Sequence, residues 1–211
     1  MARKKTKYLV IHCTATQEGR EITSAWIKKL HMGKNGWSRV GYSDMIHLNG
    51  SLELLHFAEG SNPFDGYTSA KEMTWGVKGQ NSHSKHIVYV GGVEAEKREG
   101  KYQAKDTRTS SQNLSLEIYV RHEILRDPKI LIAGHNQFSS KACPSFNVAE
   151  WCRSIGIQEK NIYQAPGLYE RAGDPEDPKK KNQVDQPEDP DLNKSNLKSM
   201  LWKLLQLIFG K

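Results

Sequence analysis

Short apolar runs and helix-spaced apolar positions alternate along the first 160 residues. Tyr8–His12, His86–Val90 and Lys129–Ala133 are brief apolar runs stopped by polar residues or glycine, the pattern of buried strands. Glu21–Leu30 carries Ile22, Trp26, Ile27 and Leu30 at helical spacing. Tyr42–Leu48 and Leu52–Phe57 flank Asn49-Gly50, a pair suited to the positive φ angles of tight hairpin turns. Thr109-Ser-Ser-Gln112 matches a capping box and opens a predicted helix to about Leu125. Asn147 and Glu150 start a last helix, which Gly156 closes. This alternation predicts an α/β (α+β) fold, a central mixed β-sheet covered by helices.

Beyond residue 160 the pattern stops. Asp174 to Asp191 reads DPEDPKKKNQVDQPEDPD, with seven acids, three lysines and no aromatic residue. Such a stretch buries too little apolar surface to offset its ordering entropy, so residues 161–195 are expected to form a linker. The last segment, 196–211, reads NLKSMLWKLLQLIFGK. Leu197, Leu201, Leu204, Leu205 and Ile208 share one helical face, with Lys198 and Lys203 towards the other. It reads as an amphipathic helix that contacts an anionic membrane or envelope, or as a terminal helix that packs on protein. The expected organisation is therefore a domain over 1–160, a linker and a C-terminal helix.

Charge and cysteine usage narrow the function classes. The formal charge of +7 favours polyanions in general. No Lys/Arg block with interleaved aromatics forms a nucleic-acid motif, so no nucleic-acid partner is expected. Three cysteines, Cys13, Cys143 and Cys152, form no disulfide framework and fit a reducing compartment. The basic N-terminus leads only into Tyr8-Leu9-Val10-Ile11, too short for the apolar core of a signal peptide. An oligomeric state is not legible.

His12, His135 and Cys143 stand out as metal-ligand types. Each histidine lies at or just past the end of a predicted strand, where functional groups of α/β sheets gather. Two imidazoles and one thiolate suit Zn2+ and leave a fourth position for water. By themselves the three residues also fit surface histidines and a buried structural cysteine. His83 and His86 are three apart, which on a strand places them on opposite faces. Cys13 should point away from His12 into the core, and Cys152 also reads as core. His31, His47, His56 and His122 read as surface or satisfied core residues.

Five segments change that weighting: YLVIHCTAT (8–16), REITSAWIKK (20–29), GWSRVGYSDMIHLNG (36–50), NSHSKHIVYVGG (81–92) and GHNQFSSKACPSFNV (134–148). In this order they resemble the zinc-dependent N-acetylmuramoyl-L-alanine amidases, the T7-lysozyme-like phage endolysins related to peptidoglycan-recognition proteins. The resemblance runs from about residue 8 to about residue 155. It implies zinc held by His12, His135 and Cys143, with Tyr42 and Lys141 in the active site. The implied reaction is hydrolysis of the amide between N-acetylmuramic acid and L-alanine of peptidoglycan by a zinc-activated water. An endolysin without a signal peptide would reach the wall after holin-dependent release or lysis. The alternatives are a non-catalytic recognition module or regulator, and a cytoplasmic muropeptide-recycling amidase. Phage members often carry a further histidine where this register places Gly76.

Overall fold

The computed structural model describes residues 4–60 and 65–165. The residues expected to form most of the linker and the C-terminal helix lie outside that range. The strands are β1 (Lys4–Lys5), β2 (Tyr8–Cys13), β3 (Thr16–Gln17), β4 (Asp44–Ile46), β5 (Leu52–Leu54), β6 (Tyr67–Thr68), β7 (Ser84–Tyr89), β8 (Gly92–Arg98), β9 (Lys101–Ala104) and β10 (Leu131–Gly134). The helices are α1 (Ser24–Lys28), α2 (Ser110–Arg126) and α3 (Val148–Ser154). Among the described residues, no helix is long and apolar enough to cross a membrane.

The main sheet has the order β10-β2-β7-β4-β5. Four strands run parallel and β5 is antiparallel to β4, so the sheet is mixed. β2 lies between β10 and β7 and is buried along its whole length, hence its unbroken apolar run. Alternation gives its two faces different partners. Leu9, Ile11 and Cys13 join Leu116 and Val120 of α2 and Val148, Trp151 and Cys152 of α3 in the largest core cluster. Tyr8 and Val10 face the other way, against Val77 with Phe138 and Tyr163. His12 shares that second face by alternation. On it, Met45, Val88 and Val90 also pack with Ile22, Ile27 and Val40.

Local chemistry sets the element ends. The Thr109 hydroxyl accepts from the Gln112 amide at 3.0 Å, and the Thr109 amide donates to Gln112 Oε1 at 3.0 Å, completing the expected capping box. Asn147 caps α3, and Gly156 follows it with φ +77°. The helix expected over 21–30 begins later, because Thr23 caps it, and after Lys28 it widens into a π-helical turn over Lys29–Lys34. The predicted hairpin forms with a longer loop than a two-residue turn. Ile46 pairs with Leu52, and Gly50 takes φ +84° within the loop.

Two small sheets were not anticipated. β3, β8 and β9 form one, and β1 pairs with β6 in the other. β8 and β9 are largely exposed and charged, so no apolar run marks them. Their turn residues, Glu99 and Gly100, both have positive φ, at 49° and 77°, the geometry of a type I′ hairpin turn.

Candidate metal centre

Three separate parts of the chain deliver the candidate ligands to the ends of β2 and β10. His12 is the penultimate residue of β2 and is fully buried. His135 opens a single 3-10 turn immediately after β10. That transition needs Gly134, because a Cβ there would lie 2.5 Å from Asn136 Oδ1 and 2.9 Å from Val148 Cγ2. The Gly134 amide donates to Gln137 Oε1 at 2.8 Å, which fixes the turn. Cys143 sits in the loop before α3, held from both sides. The Tyr89 hydroxyl donates to the Pro144 carbonyl at 2.7 Å, and Ser145 Oγ donates to the Gly92 carbonyl at 2.7 Å. Ser145 has φ +71°, an uncommon conformation for a residue with a side chain, directly beside the cluster.

His12, His135 and Cys143 form the one group of potential metal-ligand side chains found among the described residues, with donor atoms within 4.8 Å of one another. His12 Nδ1 lies 3.7 Å from Cys143 Sγ. Bond lengths of about 2.3 Å to sulfur and 2.0 Å to nitrogen at a tetrahedral angle give about 3.5 Å, so this edge is already close to zinc-like length. The electrostatics also fit a cation. Burial lowers His12 well below its ordinary pKa, aided by His135, His86 and Lys141, so the ring is neutral and one nitrogen keeps a free lone pair. Burial and Lys141 bring His135 down to about 4. Burial raises the Cys143 thiol, and the neighbouring Cys13 thiol adds to that. A thiolate there therefore calls for a positive partner. The Cys13 amide donates to Cys143 Sγ at 3.2 Å, a contact that supports negative charge on sulfur.

Tyr42 and Lys141 are the other residues expected at the site. The Tyr42 ring centroid is 5.0 Å from that of His12. Burial pushes the Tyr42 phenol well above its ordinary pKa, followed by the influence of Cys143 and Cys13, so it remains an O–H donor. Lys141 is exposed on the Cys143 loop, and its charge is felt at both histidines. Cys13 is buried in the core, as expected, and its thiol pairs with Ser145 Oγ at 3.6 Å. Cys152 is fully buried, and burial raises its thiol to about 12.

Sequence reasoning passed over two residues near the centre. His31 is buried, stacked on Trp37 at 4.6 Å, and its Nδ1 accepts from the Gly41 amide at 3.1 Å, next to Tyr42. It positions the segment that carries Tyr42. His86 is fully buried on β7, with Nδ1 3.1 Å from His12 Nε2. His83 lies in the turn before β7, apart from the cluster. Sequence pattern gives neither His31 nor His86 a role, since each role depends on which distant segment lies beside the residue.

The chain is 31% identical over 155 residues to the endolysin of Enterobacteria phage K11, covering 72% of this chain and 89% of that protein. It is 28% identical over 152 residues to the endolysin of Escherichia phage T7, covering 71% and 87%. No family model matches the chain. Among solved structures, bumblebee PGRP-SA superposes with a TM-score of 0.53 at 15% identity, covering 78% of this chain and 90% of that one. The Ph2119 endolysin of a Thermus scotoductus bacteriophage gives a TM-score of 0.52 at 16% identity, covering 74% and 88%. At these identities the structural likeness establishes the fold.

Proposed function

From the chain's membership of the T7-lysozyme-like endolysin family, we propose that it is a zinc-dependent N-acetylmuramoyl-L-alanine amidase acting on bacterial peptidoglycan. Water adds to the lactyl carbonyl of N-acetylmuramic acid, the bond to the L-alanine nitrogen breaks, and the nitrogen leaves as a protonated amine. The observation that carries this reading is the convergence of His12, His135 and Cys143 from three segments far apart in sequence. A set of two neutral imidazoles and one thiolate is typical of catalytic rather than closed structural zinc, because one position remains for reactants.

When bound, zinc supplies a Lewis acid that lowers the pKa of a water to about 7 and polarises a carbonyl. The chain's own residues do the rest. His12 and His135 are held neutral by burial and so present lone pairs at neutral pH. Lys141, on the exposed rim, places a positive charge where the tetrahedral oxyanion develops. Tyr42 keeps its proton and donates a hydrogen bond to the same oxygen or to the attacking water. Its hydroxyl is also the candidate relay through which a proton of the attacking water reaches the leaving amine. The domain is proposed to span 1–160.

Mass spectrometry of sacculi digested by the purified chain tests the bond assignment. Stem peptides with a free L-alanine amine are expected, and their loss in Cys143→Ser. Cleavage elsewhere in the polymer would overturn it.

A further inference from the structure

The alternation of β7 puts Ser84, His86 and Val88 on the sheet face that carries Val10 and His12 of β2. In the parallel register, Val10 pairs with His86 and His12 with Val88, so the two histidines are diagonal neighbours. His12 turns Nδ1 towards Cys143 at 3.7 Å and Nε2 towards His86 Nδ1 at 3.1 Å. A neutral imidazole that gives one nitrogen to a metal carries its proton on the other. His12 Nε2–H is then the donor and His86 Nδ1 the acceptor.

We propose that His86 is a positioning residue for the metal centre: its Nδ1 accepts the Nε2–H of His12, commits His12 to Nδ1 as the ligand atom and fixes the plane of that ring. Two further observations support a dedicated role. The ring lies against Gly76, where a Cβ would come within 2.5 Å of His86 Cγ and Nδ1 and 2.9 Å of the Gly41 carbonyl. Gly76 does not take the left-handed φ that favours glycine, so space for the ring is what that position supplies. His86 Nε2, moreover, is buried and makes no hydrogen bond to the described protein. A ring chosen only to fill the core would be better replaced by an apolar side chain, since an unpaired buried polar atom is costly. The feature that remains to explain the histidine is its Nδ1. As a neutral acceptor it orients His12 without adding the negative charge that a carboxylate would bring.

The inference rests on the zinc reading given above, and the test separates the two. Zinc affinity of the full chain is measured by competition with a chromophoric chelator, together with the thermal midpoint of the metal-free protein. His86→Leu keeps bulk and removes the acceptor, whereas His86→Asn keeps an acceptor oxygen near the Nδ1 position. His86→Leu is expected to bind zinc about 10–100-fold more weakly, with a metal-free midpoint no lower than wild type. His86→Asn should recover most of the affinity. Gly76→Ala, which crowds the same ring from the other side, should weaken zinc binding too, and it supplies the answer if His86→Leu does not fold. Unchanged zinc affinity in His86→Leu, or equal losses in Leu and Asn, would overturn the positioning role. A lowered metal-free midpoint with normal zinc affinity would mark the ring as structural. A wild-type chain that binds no zinc would instead remove the metal reading, and this inference with it.

Discussion

Two buried hydrogen bonds tie the loop that carries Cys143 to neighbouring strands, and Tyr89→Phe removes one of them with almost no change in shape. Tyr89 is 1% exposed, and its hydroxyl donates to the buried Pro144 carbonyl at 2.7 Å. Burial raises its pKa well above the ordinary value, so it remains a donor at every accessible pH. The ring also packs against Phe146 at 6.3 Å between centroids, a contact that phenylalanine preserves. The loss is therefore the bond itself and a buried carbonyl left unpaired. A buried group stranded in this way costs about 1–3 kcal/mol, so about 2 kcal/mol is expected. For a domain of this size, each kcal/mol moves Tm by roughly 2–4 °C, which gives a fall of about 4–8 °C. Differential scanning calorimetry on the metal-free chain reads this directly. Tyr102→Phe is the control: that hydroxyl pairs with Gln17 on an exposed hairpin, and surface changes stay within about 0.5 kcal/mol. If both variants shift Tm by the same small amount, the Tyr89 bond does not restrain the loop.

Two further predictions concern charge. Glu123 is almost fully buried between Lys85, at 2.9 Å, and Arg126. Burial raises its carboxyl, but His122, Lys85 and Arg126 outweigh that and hold it at about 2, below the ordinary 4.5. A depressed acid stabilises the fold above its unfolded pKa and loses that contribution as pH falls through the folded value. About 3 kcal/mol should therefore disappear between pH 4.5 and 2, at 1.36 kcal/mol per unit. Thermal midpoints of wild type and Glu123→Gln should converge across that range, and parallel curves would refute it. Lys141→Met should lower the turnover of peptidoglycan by about 10²–10³-fold while zinc content stays unchanged. A variant that lost zinc instead would place Lys141 in support of the ligands.

The parts of the fold that were legible are those whose signal is local. β2 is buried on both faces and reads as an unbroken apolar run, and Thr109 with Gln112 marks the start of α2 within four residues. The β8–β9 hairpin was illegible because its exposed, charged strands carry no burial pattern, and Glu99-Gly100 is a less familiar way to reach two positive φ angles than Asn-Gly. The Asn49-Gly50 pair does lie between two strands, but the loop from His47 to Ser51 has its own hydrogen bonds. The candidate metal site divides in the same way. His12, His135 and Cys143 were recognisable through the motifs that surround them, whereas His86 was not, because a histidine on an apolar strand says nothing of the neighbouring strand. Its meaning comes from the register between β2 and β7.

Zinc content and its dependence on Cys143 test the central claim most directly. Elemental analysis of the purified chain, paired with product analysis on peptidoglycan before and after chelation, should give about one zinc per chain, as expected for one three-ligand catalytic site. Chelation should abolish release of L-alanine-ended stem peptides, added zinc should restore it, and Cys143→Ser should lose metal and activity together. Full cleavage by chelated protein, or by a Cys143→Ser chain without zinc, would contradict the account.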